Sequence, residues 1–181
     1  MLNTYLLESN LGNLYLNLTG RIKEILITAG GENVAPVPIE DTVKEFLPCI
    51  SNAVLIGDKQ KYLSIFLTFK VQINKASDLP TDDLTLDAIA WCQDVGSTAT
   101  KVSEILSEPP NGCVKKAIQK GIDLANAKAI SRVATIKKWV ILPSDLSIHG
   151  GELGPTLKLK RFYFNKKYKS EIDSLYEGEK E

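Results

Sequence analysis

Apolar and polar residues alternate through residues 12–19, Gly-Asn-Leu-Tyr-Leu-Asn-Leu-Thr, which is the period of a half-buried strand. Gly20 breaks the pattern, Glu24 to Thr28 resumes it as a second short strand, and Gly30-Gly31 ends that strand with backbone freedom other residues lack. Pro36 and Pro38, followed by the carboxylates Glu40 and Asp41, start a helix. Ile39, Val43, Phe46 and Leu47 recur along it at helical spacing until Pro48 stops it. The run Ala53 to Ile56 reads as a buried strand, and Gly57-Asp58 with Lys59 and Lys61 turns the chain. Leu63, Ile65, Leu67 and Phe69 then alternate with Ser64, Phe66 and Thr68, a second core strand expected to pair antiparallel with the first.

Residues 71–111 change in character. Clusters of Asp, Thr, Ser and Pro surround short helical patches near 85–94 and 98–106, so the segment reads as an insertion with one or two helices. Val114, Ile118, Ile122, Ala125 and Ala129 are spaced by three and four, which predicts an amphipathic helix over 112–129. Trp139 to Leu142 is a third core strand, ended by Pro143-Ser144-Asp145. From Lys160 a basic helix follows, with Phe164, Tyr168, Ile172 and Leu175 along one side. The order of elements predicts an α+β fold, a small mixed sheet packed with helices and preceded by an N-terminal β-hairpin.

Composition narrows the function classes. Twenty-two basic and 22 acidic residues cancel, so the chain as a whole is no electrostatic nucleic-acid binder, and no nucleic-acid partner is expected. Charge is uneven locally: residues 158–169 are basic and Glu177 to Glu181 acidic. Cys49, Cys92 and Cys113 are far apart and odd in number, which points to a reduced, intracellular compartment with the thiols as small apolar groups. His149 is the single histidine and cannot build a histidine metal site, so no metal ligand is assigned. Asn17-Leu18-Thr19 fits a glycosylation pattern, but nothing else suggests secretion. No apolar run approaches the ~20 residues that span a bilayer, and Met1 to Asn10 has neither the basic nor the long apolar part of a signal peptide.

Two stretches carry chemistry. Gly20-Arg-Ile-Lys-Glu-Ile-Leu-Ile-Thr-Ala-Gly-Gly-Glu-Asn-Val-Ala-Pro36 joins a charged turn to a strand, a glycine pair and a proline-led helix. Lys23 stands at an element boundary, where a pivot disturbs little packing; a solvated charge in a turn explains it equally well. Gly30-Gly31 permits close approach of a backbone or a thin ligand, and is also an ordinary turn signal. In Gly154-Pro-Thr-Leu-Lys-Leu-Lys-Arg161, alternation would put Leu157 and Leu159 on one face and Lys158 on the other. A compact cation on a flexible stem suits an oxyanion. The basic run with Phe162, Tyr163 and Phe164 suits RNA or an anionic membrane as well.

Together these stretches resemble the hinge, glycine loop and closing lysine motif of the C-terminal domain of acyl-adenylate-forming enzymes, with the bubblegum family of long-chain fatty acyl-CoA synthetases the nearest likeness. Thr156-Leu157 stands where many of those enzymes place Ser-Gly, as in the long-chain branch. Asn52 to Asp58 and the long segment between Phe69 and Asn111 look like the bubblegum branch. The resemblance implies residues 1–19 as the end of a large domain and a hairpin leading to the hinge. It implies residues 20–181 as the C-terminal subdomain, with the insertion at about 71–111. It assigns Lys158 to catalysis, Lys23 to the hinge, Arg21 to the nucleotide, and Gly30, Gly31 and Glu32 to coenzyme A. It implies long-chain fatty acid, ATP with Mg²⁺ and coenzyme A as reactants. It also implies a cytoplasmic place, with contact at the cytosolic face of the endoplasmic reticulum or another membrane. No Ser/Thr/Gly-rich phosphate loop occurs, and Met1 to Leu11 stands where a Thr-Gly-Asp motif would be, so the chain by itself is expected to be inactive. The alternative is a stand-alone module that binds an anionic membrane or a partner protein through the basic helix 158–169.

Overall fold

The computed structural model describes the backbone of residues 6–10 and 13–17 and the chain from 24 to 177. Strands β1 (Leu6–Asn10) and β2 (Asn13–Asn17) form an antiparallel hairpin. The sequence shows β2 but not β1, because Glu8, Ser9 and Asn10 break up its apolar positions. Residues 18–23, and with them Arg21 and Lys23, lie outside the described residues. Two-residue strands β3 (Leu26–Ile27) and β4 (Asn33–Val34) then bracket the glycine pair and pair with each other.

The centre is a three-stranded mixed sheet in the order β5-β6-β9. Strand β5 (Ile50–Ile56) runs antiparallel to β6 (Leu63–Phe69), with Ala53 opposite Leu67 and Leu55 opposite Ile65. Strand β9 (Ile136–Ile141) runs parallel to β6, with Ile65 opposite Trp139. All seven residues of β6 are buried, because both faces of the sheet are covered. On one face Leu63, Ile65, Leu67 and Phe69 pack with helix α1 (Pro36–Phe46) and helix α4 (Cys113–Ala127). On the other, Val54, Ile56 and Phe66 pack with Phe164, Ile172 and Tyr176.

Segment 71–111 is only partly helical. Strands β7 (Val71–Asn74) and β8 (Leu79–Leu84) make a hairpin before α2 (Leu86–Asp94) and α3 (Val102–Ser107). The polar, proline-bearing composition hid this hairpin. Pro80 is tolerated because the sheet has only two strands, so both are edges. Thr85 caps α2, its side chain accepting the Ala88 N–H. The basic helix is also interrupted, into α5 (Arg161–Lys167) and α6 (Lys169–Tyr176), at Tyr168, whose backbone leaves helical angles. Its apolar side still packs as the spacing predicts, with Phe164 and Ile172 buried. Burial of Cys49 and Cys92 pushes both thiols up, Cys92 to about 11, whereas Cys113 is exposed at the start of α4.

Candidate functional site

Lys158 stands on a tight hairpin. Gly154 N–H donates to the Lys158 carbonyl at 2.8 Å, and Leu157 N–H donates to the Gly154 carbonyl at 2.8 Å. Leu153 bridges to Leu159 across the base. Leu157 adopts φ 58°, the left-handed region where glycine is the low-cost residue. A leucine there carries the conformation that a Ser-Gly pair would adopt without strain. The expected alternation therefore fails. Leu159 packs on the second core, but Leu157 turns out to water at 68 % exposure, because the turn at 154–157 rotates it off the strand face. Lys158 is exposed, and its ammonium has no carboxylate partner among the described residues.

What fixes the hairpin are two carboxylates that the sequence reading did not single out. Glu40 was read as a helix-start charge, but α1 begins at Pro36, so Glu40 lies past the first turn on the face shared with Pro36 and Val43. It is buried. Arg161 Nη2 donates to both its oxygens at 2.7 Å, Leu55 N–H donates to its Oε1 at 2.7 Å, and Arg161 Nη1 donates to the Leu55 carbonyl at 3.3 Å. Burial pushes the Glu40 carboxyl above its ordinary range, and the Arg161 guanidinium only partly offsets that. On the other side, Glu152 accepts from Lys167 and, at 3.1 Å, from the Tyr168 hydroxyl, while its carbonyl accepts the Lys160 N–H at 2.7 Å. Burial works against the Glu152 charge, but the Lys167 ammonium and these hydrogen bonds hold its carboxyl below the ordinary range. Glu40 was detectable as an acid at a core-facing helical position. Nothing in the spacing marked Glu152.

The glycine loop is built differently. Thr28 is buried, its N–H donates to the Glu32 carbonyl at 3.0 Å, and its hydroxyl accepts the Glu32 N–H at 3.2 Å. Ala29 N–H donates to Gln60, Lys59 N–H to Ile27, and Ile27 N–H to Asp58 Oδ1, which docks the loop on the β5–β6 turn. Gly31 has φ 78°, so its lack of a side chain is a backbone requirement. Gly30 has no such need: a Cβ built there would meet only Thr28 Oγ1, at 3.8 Å. Gly30, Gly31 and Glu32 are all exposed. No hydrogen bond or ion pair joins them to Lys158 among the described residues. The base of their hairpin and α5 do share a cleft of about 180 Å³, lined by Leu26, Gly57, Gln60, Arg161 and Asn165 among others.

Residues 23–109 match the model of the AMP-binding enzyme C-terminal domain. The chain is 56 % identical over 162 residues to the long-chain-fatty-acid–CoA ligase ACSBG2 of Gallus gallus, covering 90 % of this chain and 21 % of that protein. It is 51 % identical over 178 residues to the Mus musculus ACSBG2 ligase, covering 96 % and 26 %. It is 53 % identical over 167 residues to the ACSBG1 ligase of Rattus norvegicus, covering 92 % and 23 %. The chain thus spans between 21 % and 26 % of the length of these relatives. The adenylation domain of a carboxylate reductase from Mycobacterium chelonae superposes with a TM-score of 0.62 at 20 % identity, covering 92 % of this chain and 21 % of that one. The corresponding domain from Segniliparus rugosus gives 0.61 at 17 %, covering 92 % and 22 %. These two likenesses show the fold.

Arg161→Ala leaves the Glu40 charge buried and unpaired, so it should cost about 3–5 kcal/mol by urea unfolding. The double change Glu40→Met with Arg161→Met should recover most of that loss, and a double variant as unstable as the single would count against the pairing. Glu152→Gln should cost about 1.5–3 kcal/mol near neutral pH. The folded-state pKa of Glu152 is depressed, so its stabilisation is present above the unfolded value and lost as pH falls through the folded one. The gap between wild type and Glu152→Gln should therefore close below pH ~4.5.

Proposed function

We propose that this chain is the mobile C-terminal domain of a long-chain-fatty-acid–CoA ligase, a reading supported by the match of residues 23–109 to the AMP-binding enzyme C-terminal domain and by the 56 % identity to the Gallus gallus ligase over 162 residues. In the reaction proposed, a fatty acid carboxylate attacks the α-phosphate of ATP and pyrophosphate leaves. The thiol of coenzyme A then attacks the acyl carbonyl, loses its proton, and AMP leaves. Mg²⁺, held by the large domain such a ligase carries, would supply charge neutralisation at the phosphates.

One observation carries the reading: Lys158 is an exposed cation, without a carboxylate partner among the described residues, on a hairpin whose base is clamped by two buried carboxylates. A charge so held is preorganised for the oxyanion that forms at the α-phosphate, while its long stem supplies the reach. Gly30 supports the second half of the reading. A Cβ there would meet only Thr28 Oγ1 among the described residues, and this open surface suits the thin pantetheine arm of coenzyme A beside Gly31 and Glu32. Lys23 is the proposed pivot that brings each face in turn to the reaction centre, and Arg21 the proposed nucleotide contact.

The test joins this chain to the large domain of the Gallus gallus relative, in place of the segment it matches, and measures both half-reactions. Lys158→Ala should lower acyl-adenylate formation by ~10²–10³ and leave transfer from preformed acyl adenylate nearly intact. Gly30→Ala should do the converse, slowing transfer while the urea midpoint of the 181-residue chain stays put. Equal losses in both steps for either variant would refute the assigned division of labour.

A further inference from the structure

Two apolar side chains beside Lys158 are left in water. Phe162 is 85 % exposed, the one of five phenylalanines not at least half-buried in the domain. Leu157 is 68 % exposed and also holds the left-handed φ of 58°. Each carries a cost: hydrated apolar surface for both, and backbone strain for the leucine. Tyr163, 43 % exposed, follows in α5 with its ring over Gly151. Scattered exposed apolar residues are ordinary. Leu157 and Phe162 stand out because they flank a lysine that has no carboxylate partner among the described residues, on a clamped hairpin.

We propose that Leu157 and Phe162 are the docking edge by which this domain seats on the large domain of the ligase when Lys158 enters the reaction centre. The inference rests on the function proposed above and adds a partner surface to it. Lys158 lies one residue from Leu157 and four from Phe162, so fixing both side chains fixes the cation between them. Catalytic groups need placement to about 0.5 Å, which a lone lysine stem on a moving domain does not supply. Burying these two side chains on the partner stabilises the docked pose without touching the substrate. The relatives carry about three-quarters or more of their length beyond the segment this chain matches, ample for such a partner.

An anionic membrane is the competing occupant, and the charge arrangement weighs against it. Of the six cations between 158 and 169, Arg161 is held by Glu40, Lys167 by Glu152 and Lys169 by Asp173. Among the described residues Lys158, Lys160 and Lys166 remain, fewer than the roughly four to eight that mark lipid-binding clusters.

Phe162→Ser and Leu157→Ser, made in the joined enzyme, test the assignment. Each should lower acyl-adenylate formation about ten-fold or more, the loss expected for one buried apolar contact. Transfer from preformed acyl adenylate should stay within about two-fold, as for an interface formed in one pose only. The urea midpoint of the 181-residue Phe162→Ser chain should not move, which separates docking from folding. Unchanged adenylation, or equal loss in both steps, would overturn the proposal. So would salt-sensitive binding of the 181-residue chain to phosphatidylserine vesicles, or self-association in sedimentation, that either serine variant abolishes. If Lys158→Ala fails to separate the half-reactions, the functional reading itself falls. If it succeeds and the serine variants are silent, only the docking edge does.

Discussion

The pairing of Glu40 with Arg161 is the constraint on which the placement of the lysine hairpin depends. It joins residues 121 positions apart and ties three elements at one point: α1 through the carboxylate, β5 through the Leu55 backbone, and α5 through the guanidinium. Its planar fork satisfies both carboxylate oxygens and a carbonyl together, which a lysine could not do. Burying the pair is costly, as the upward push on the Glu40 carboxyl records, so its worth lies in geometry more than in net stability. Lys158 is three residues upstream of this anchor, and Glu152 grips the opposite strand of the same hairpin. Between them the backbone has little room, and motion of the cation is left to its side chain.

The sheet divides the labour. One face packs against α1 and α4 and holds the larger of the two cores. The other packs against α5 and α6 and supports the hairpin. Because β6 is buried on both sides, a displacement on one face is passed to the other through a close-packed strand. The glycine loop sits at the edge of this arrangement, hydrogen-bonded to the β5–β6 turn. These bonds tie its position to that of the sheet.

Much of this was legible beforehand. Helical spacing located α1 and α4, the strong apolar runs located β5, β6 and β9, and the antiparallel pairing of β5 with β6 holds. The β7–β8 hairpin was hidden because an exposed two-stranded ribbon keeps few apolar residues and admits Pro80. The interruption at Tyr168 was hidden because its apolar spacing continues across it. Within the site, Lys158 and the glycine pair announced themselves as local motifs. The carboxylates that hold the lysine did not, since Glu40 and Arg161 meet only after the sheet has formed. Leu157 misled for a related reason: strand alternation presumes extended angles, and one left-handed residue cancels it.

The unequal exposure of the three thiols has a practical consequence. Cys49 and Cys92 are walled into the larger core as neutral thiols, whereas Cys113 faces solvent at the head of α4, the helix packed on the sheet face opposite α5. A maleimide dye would thus attach across the sheet from the lysine hairpin, at one native position. It would turn with the body of the domain and report its orientation by fluorescence without intruding on the reaction.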